Sequence, residues 1–364
     1  MKITLIAGAR PNFMKIAPII EAIKQSQEKG IALEYRLVHT GQHYDEKMSD
    51  TFFKELNIPF PDVNLECGGG TQAEQTASIM LKFEQELLVN PADLVLVVGD
   101  VTSTMACSIV AKKLNIRVAH VEGGIRSNDR SMPEEINRLL TDSISDYFFT
   151  TTPEAGENLQ REGIHPSKIY FVGNTMIDTL LKHQASFRKP VFFDSWQLQA
   201  KQYFVITIHR PANVDDPNQL KYLLQEIVNN SNGMSVVFPV HPRTRKNMEQ
   251  FGISFPELLL TDPMGYLEFN YLVQHAKAVI TDSGGITEET TVMGIPCMTL
   301  RNSTERPETC VIGTNELLGT DPKAIAPAMK KLMDGVWKKG EIPDKWDGKT
   351  AQRIIAILSE MSAA

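Results

Sequence analysis

Short apolar runs alternate with longer stretches of helical period along most of the chain. Runs rich in Val, Ile, Leu, Tyr and Phe predict strands at 2–7, 34–39, 93–98, 117–121, 146–150 and 168–172. Amphipathic stretches near 14–28, 72–89, 102–114, 133–145 and 153–162 predict helices between them. The run Leu94-Val95-Leu96-Val97-Val98 is apolar on both faces, as suits a central parallel strand. After Gly173-Asn174 the alternation begins again, with strands expected at 203–208, 235–239, 257–260, 277–281 and 295–299. The stretch 185–202 reads as a connection, and a last amphipathic helix at 349–361 can pack on either half. Strand–helix alternation with short turns predicts an α/β chain of two Rossmann-like, doubly wound domains, 1–172 and 173–348, with the C-terminal helix 349–364 free to return to the first. Ligands of such sheets bind beyond the carboxyl ends of the strands, so a cleft between two of them is the expected small-molecule site.

Length agrees with this division, because 364 residues suit two domains of about 150 residues each. The chain is 42% hydrophobic and 22% charged, an ordinary globular balance. Its net charge of −7 and the lack of a polybasic run argue against nucleic acid or an acidic membrane as partner. The apolar start is short for a signal core, and no stretch reaches the roughly 18 apolar residues of a membrane span. Cys67, Cys107, Cys297 and Cys310 show no Cys-x-x-Cys spacing and read as buried thiols. A soluble cytoplasmic protein is expected.

Candidate chemistry gathers after the strands. The turn Gly8-Ala9-Arg10-Pro11-Asn12, with Lys15 beyond it, is neither Gly-x-Gly-x-x-Gly nor a Walker loop, so a nicotinamide dinucleotide is not expected. Arg10 and Lys15 put two cations near a helix start, suited either to phosphate or to solvent. Thr281-Asp282-Ser283-Gly284-Gly285-Ile286 follows an apolar strand and enters a helix, where bare backbone N–H groups and the helix dipole favour a diphosphate. Glu289 lies about one turn further on, where a carboxylate accepts ribose hydroxyls. Asp100 and Glu122 stand at neighbouring strand tips, and clustered carboxylates divide acid and base roles between them. Glu134 and Glu135, read alone, suit a helix N-terminus. His39 and His43 are four apart, but Thr40-Gly41-Gln42 reads as a strand end and turn rather than the helix of a His-Glu-x-x-His metal pair, so a metal is not expected there. His209 and His241 follow strands of the second half, where a structural role and an acid or phosphate-contacting role fit equally.

Together these motifs resemble the non-hydrolysing UDP-N-acetylglucosamine 2-epimerase family, whose glycosyltransferase-B architecture sets two Rossmann-like domains face to face. The resemblance spans nearly the whole chain: Gly8-x-Arg10-Pro11 with Lys15, Gly99-Asp100, His120-Val121-Glu122-x-Gly124, Pro133-Glu134-Glu135-x-Asn137-Arg138, Thr281 to Glu289, and Thr304-Glu305-Arg306-Pro307-Glu308. It implies reversible conversion of UDP-N-acetylglucosamine to UDP-N-acetylmannosamine without metal or cofactor, by a cytoplasmic homodimer that supplies N-acetylmannosamine for cell-surface polysaccharide. By that resemblance Asp100, Glu122 and Glu134 are the acid/base carboxylates and His209 attends the departing diphosphate. Arg10, Lys15, His241, Phe269, Ser283, Gly284, Gly285, Glu289 and Arg306 would bind the UDP-sugar, Phe269 beside the uracil.

The chain departs from the family pattern in places. Gln42-His43-Tyr44-Asp45-Glu46 replaces the Gln-His-Arg-x-Met of many bacterial members, a segment that serves a second, activating substrate site there. His209-Arg210-Pro211-Ala212 replaces the frequent His-Arg-Arg-Glu, and Met264 stands where a polar uracil contact is frequent. Rival functions are a glycosyltransferase of the same architecture, which needs an acceptor, and a hydrolysing epimerase, which releases free sugar. A non-catalytic sugar-nucleotide sensor is a third, with no use for three carboxylates around the sugar.

Overall fold

Each run expected to be a strand is one, and every strand pairing is parallel. The structure, a computed structural model, describes residues 1–41, 53 and 55–363, and of Arg10 and Ala363 the backbone alone. The variant segment from Gln42 to Glu46, with His43, lies outside the described residues. The chain divides into two units, Met1–Lys182 with Asp344–Ala364, and His183–Pro343.

The first unit holds β1 (Lys2–Ala7), β2 (Glu34–His39), β3 (Val63–Asn64), β4 (Leu94–Val98), β5 (Arg117–Val121), β6 (Tyr147–Thr150) and β7 (Ile169–Phe171) in the order β3-β2-β1-β4-β5-β6-β7. Its helices are α1 (Arg10–Glu28), α2 (Gln72–Val89), α3 (Thr102–Lys113), α4 (Pro133–Ile144), α5 (Pro153–Arg161) and α6 (Thr175–His183). All five residues of β4 are buried, because helices cover both faces of the sheet. On one face Val95, Val97 and Val118 pack with Phe83 and Leu87 of α2 and Cys107 and Val110 of α3. Cys67, Cys107 and Cys297 are buried thiols and Cys310 is half-buried, all four free.

The second unit repeats the plan with β8 (Tyr203–Thr207), β9 (Ser235–Pro239), β10 (Leu258–Thr261), β11 (Ala278–Thr281), β12 (Cys297–Thr299) and β13 (Asn315–Leu317), ordered β10-β9-β8-β11-β12-β13. The helices α7 (Pro217–Asn230), α8 (Pro242–Phe251), α9 (Tyr266–His275), α10 (Gly284–Met293) and α11 (Ile325–Met333) flank it. Side chains of β8 alternate: Phe204 and Ile206 meet Leu220, Leu223 and Ile227 of α7, while Tyr203 and Val205 meet Leu272 and Val273 of α9. In each sheet the strand order reverses once, between β1 and β4 and between β8 and β11. That reversal opens a crevice at the carboxyl ends of those strands.

The units part after Lys182, later than the boundary near 173 that the alternation suggests. Helix α6 stays with the first unit because the Thr179 hydroxyl donates to the Met14 carbonyl at 2.5 Å. Asp178 accepts the backbone N–H groups of Thr350 and Ala351 at 3.1 and 2.7 Å, capping α12 (Thr350–Ala363) from outside that helix. Trp346, fully buried, donates its indole N–H to the Thr151 carbonyl. The chain from Asp344 onward therefore belongs to the first unit. Among the described residues no helix is long and apolar enough to cross a membrane.

Gly124 marks where the β5–α4 connection tolerates no side chain. Its φ is +81°, and a Cβ there would lie 2.1 Å from the Ala155 carbonyl oxygen. Gly124→Ala is expected to cost about 3 kcal/mol in urea unfolding, through strain and a backbone clash together. A loss below about 1 kcal/mol contradicts this account of the turn.

Candidate active site

The crevice of the first sheet is built from the turns after β1, β4 and β5. Gly8 lies against the start of α3, where a Cβ would come within 2.3 Å of Ser103 Oγ. Asn12 is buried and closes the turn: its Oδ1 accepts the N–H groups of Gly8 and Ala9 at 3.1 and 2.9 Å. Its Nδ2 donates to the Val98 carbonyl at 3.0 Å, pinning α1 to the end of β4. One turn along α1, Lys15 reaches across to Glu122, with Nζ 2.8 Å from Oε2. The two side chains are only 14% and 4% exposed, so solvent screens the pair weakly.

Glu122 has φ +72°, a left-handed conformation that costs a residue other than glycine about 1–3 kcal/mol. Its N–H donates to the Phe149 carbonyl at 2.9 Å, and the Lys15 contact holds its other end. Gly99 also has positive φ, and a Cβ on it would stand 3.5 Å from Lys15 Nζ and 3.8 Å from Glu122 Oε2. The Gly99-Asp100 turn thus lies beside the ion pair. Lys15, Asp100 and Glu122 are gathered at neighbouring strand tips, as expected of the two carboxylates. Lys15 itself is engaged by a carboxylate, where the resemblance implied a cation for the UDP.

Helix α4 secures Asp100. Arg138 Nη2 lies 2.6 Å from Asp100 Oδ2, and Asn137 Nδ2 donates to the Asp100 carbonyl at 2.8 Å. The other arm of the guanidinium, Nη1, meets Glu135 Oε2 at 2.6 Å. Glu135 also accepts the N–H groups of Ser127 and Asn128 and the Ser127 hydroxyl. Burial opposes its charge, but these donors and Arg138 outweigh burial and hold its pKa below the ordinary value. Glu134 is exposed, with no hydrogen-bond or ion-pair partner among the described residues. Arg138 and Asn137 were missed as site residues by sequence reasoning, although the four-residue spacing of Glu134 and Arg138 sets both on one helix face.

In the second unit Asp282 organises the turn after β8. Fully buried, it accepts the N–H groups of His209 at 2.9 Å and Arg210 at 2.8 Å, and the Asn213 amide at 3.1 Å. Its Oδ1 lies 2.9 Å from His209 Nδ1, which directs the Nε2 edge of the ring away from Asp282. Burial would raise the Asp282 pKa, but His209, the Arg210 N–H and Asn213 bring it below the usual range. His241 is exposed at the N-terminus of α8, its ring 6.1 Å from that of His209, and its Nδ1 accepts the Arg243 N–H. Burial and the nearby charges of His209 and Arg243 lower its pKa.

Ser283 precedes α10 as its N-cap, with its side chain left out of the cap and its N–H donated to Thr281 Oγ1. Gly284 is hemmed by Glu305, whose Oε1 would be 2.7 Å from a Cβ there, and Gly285 follows it in the first turn. Arg306 is buried, with Nε 2.7 Å from Glu288 Oε1. Phe269 and Met264, both half-buried, pack against the core that holds Leu272 and Val273. Glu289 is buried beside Tyr266 and Asn270 rather than presented to solvent. Burial pushes its pKa up to about 7, with the Glu288 charge adding to it and Tyr266 and Asn270 opposing.

The family model described as UDP-N-acetylglucosamine 2-epimerase matches residues 24–359. The chain belongs to that family. The UDP-N-acetylglucosamine 2-epimerase of Methanocaldococcus jannaschii is 40% identical, with 99% of each chain covered. The UDP-2,3-diacetamido-2,3-dideoxy-D-glucuronate 2-epimerase of Pseudomonas aeruginosa is also 40% identical, over 99% of this chain and 100% of its own. A crystal structure of the Methanocaldococcus jannaschii UDP-GlcNAc 2-epimerase in complex with UDP-GlcNAc and UDP matches with TM-score 0.88, covering 99% of this chain and 100% of the other. As an epimerase of this family, the protein is an isomerase built from two Rossmann-like units.

Glu289 gives the epimerase a pH signature. The unfolded chain releases its proton near 4.5 and the folded protein near 7, so the stabilising contribution is full below 4.5 and lost as pH rises through about 7. Relative to Glu289→Gln, the stability of the native protein is expected to fall by about 3 kcal/mol across that window, measured by urea unfolding at successive pH values. Parallel pH profiles for the two proteins contradict it.

Proposed function

We propose that the protein is a non-hydrolysing UDP-N-acetylglucosamine 2-epimerase, interconverting UDP-N-acetylglucosamine and UDP-N-acetylmannosamine. The observation that carries the reading is the pairing of two strand-tip carboxylates with cations, Glu122 with the half-buried Lys15 and Asp100 with the buried Arg138. The family match and the 40% identical relatives support the substrate class.

The chemistry follows from the sugar. The C2 proton has no adjacent carbonyl, so its removal needs help from C1. As the C1–O bond to the diphosphate breaks, C1 gains positive character and the C2 proton becomes acidic. A carboxylate takes that proton, the C2–H electron pair becomes the C1=C2 double bond, and the C1–O pair leaves with UDP. The intermediates are 2-acetamidoglucal and UDP. Return of the diphosphate oxygen to C1, with a proton delivered to the opposite face of C2, completes inversion without water being added. Asp100, Glu122 and Glu134 supply the acid and base groups. His209, oriented by Asp282, attends the diphosphate through Nε2. Ser283, Gly284 and Gly285 offer it the N-terminus of α10, and Arg10, Arg306, His241, Phe269 and Glu289 complete the nucleotide site. Lys15 acts through Glu122. The same reading makes the protein a cytoplasmic homodimer, as the family resemblance implies.

Proton NMR of UDP-N-acetylglucosamine with the protein in heavy water tests this directly. Deuterium at C2 of both UDP-sugars, with no acceptor present, is the expected outcome. Inversion without label contradicts the elimination, and accumulation of free N-acetylmannosamine contradicts the non-hydrolysing course. Asp100→Asn and Glu122→Gln are each expected to lower kcat by about 100-fold or more. The same assay on UDP-2,3-diacetamido-2,3-dideoxy-D-glucuronate separates the two 40% identical relatives' substrates, and faster turnover of that compound contradicts the assignment of the sugar.

A further inference from the structure

Behind the carboxylates lies a buried polar cluster that the mechanism does not use. His120, on β5 two residues before Glu122, is fully buried, and so is Asp142 on α4. His120 Nε2 donates to the Gly99 carbonyl at 2.8 Å, the peptide group that joins Gly99 to Asp100. His120 Nδ1 lies 2.6 Å from Asp142 Oδ1. The other carboxylate oxygen of Asp142 accepts the Gly124 N–H at 3.0 Å, two residues after Glu122, and meets Arg126 Nη1 at 2.7 Å. Burial opposes charge on Asp142, but His120, Arg126 and the Gly124 N–H outweigh it and lower its pKa.

The path Gly99–His120–Asp142–Gly124 therefore runs from the turn that carries Asp100 to the turn that carries Glu122. It passes through α4, whose Arg138 and Asn137 hold Asp100 from the other side. We infer that His120 and Asp142 are positioning residues, a buried brace that fixes the spacing between Asp100 and Glu122 and thereby the rate of proton transfer at C2. Neither need touch the substrate. A buried histidine whose only duty was to fill space would not need both ring nitrogens at hydrogen-bond distance from oxygens on two different elements. The inference rests on the epimerase reading.

Two replacements separate the halves of the brace. In His120→Gln the amide nitrogen falls near the place of Nε2 and keeps a donor for the Gly99 carbonyl. In His120→Asn it falls near Nδ1 and keeps only the link to Asp142. In the full chain, His120→Asn is expected to lower kcat for UDP-N-acetylglucosamine epimerisation about 100-fold, as misplacement by about 1 Å does. His120→Gln is expected to lose about tenfold or less, and both to leave KM and UDP affinity within about threefold. Asp142→Asn, close to isosteric, is expected to lose about tenfold in kcat at unchanged KM and reads the same brace if the histidine variants do not fold. Equal losses in Gln and Asn variants that follow their unfolding midpoints overturn the inference, as does kcat within about threefold of wild type in all three. An inactive wild type overturns the parent reading and this one together, whereas an active wild type with indifferent variants overturns this one alone.

Discussion

The contact on which the rest of the first unit depends is the one between Lys15 and Glu122. A nearly sealed ammonium and a nearly sealed carboxylate meet at 2.8 Å, across the gap between α1 and the tip of β5. Neighbouring features read as accommodations to this pair. Asn12 fixes the first turn of α1 so that Lys15 projects over β4. Gly99 turns with positive φ beside the pair, and Glu122 itself takes a left-handed backbone. Strain of this kind survives only where the surroundings over-determine it, which is the habit of reacting groups.

The second unit solves a different problem with the same topology. At its strand reversal the buried carboxylate is Asp282, and its oxygens are spent on backbone N–H groups, on Asn213 and on His209. It is a device for aiming a ring, while Asp100 and Glu122 are set with cations. Two sheets of one plan thus carry opposite equipment. The first presents two strand-tip carboxylates paired with cations, and the second presents an oriented imidazole, a helix N-terminus without a side-chain cap and a buried carboxyl beside Tyr266.

Much of this was legible in the sequence because parallel strands buried on both faces announce themselves as uninterrupted apolar runs. The strands that escaped, Val63–Asn64 and Asn315–Leu317, lie at or near sheet edges and are too short to show a period. The unit boundary slipped because α6 owes its allegiance to contacts with Met14 and Thr350, far away in the chain, which no local pattern records. Glycines and acids after strands located Asp100, Glu122 and the Ser283-Gly284-Gly285 turn. The partners of those groups were not legible: Lys15 could have faced phosphate or solvent, and only the fold brings it to Glu122. Burial of Glu289 depends in the same way on Tyr266 and Asn270 from another helix.

A double-mutant cycle on the C2 exchange rate, with Lys15→Met, Glu122→Gln and the pair together, tests the central claim most directly. If Lys15 works through Glu122, the double variant is expected to be no slower than the slower single variant. Losses that multiply would mean that Lys15 and Glu122 act independently, and the account of the ion pair as one catalytic unit would be wrong.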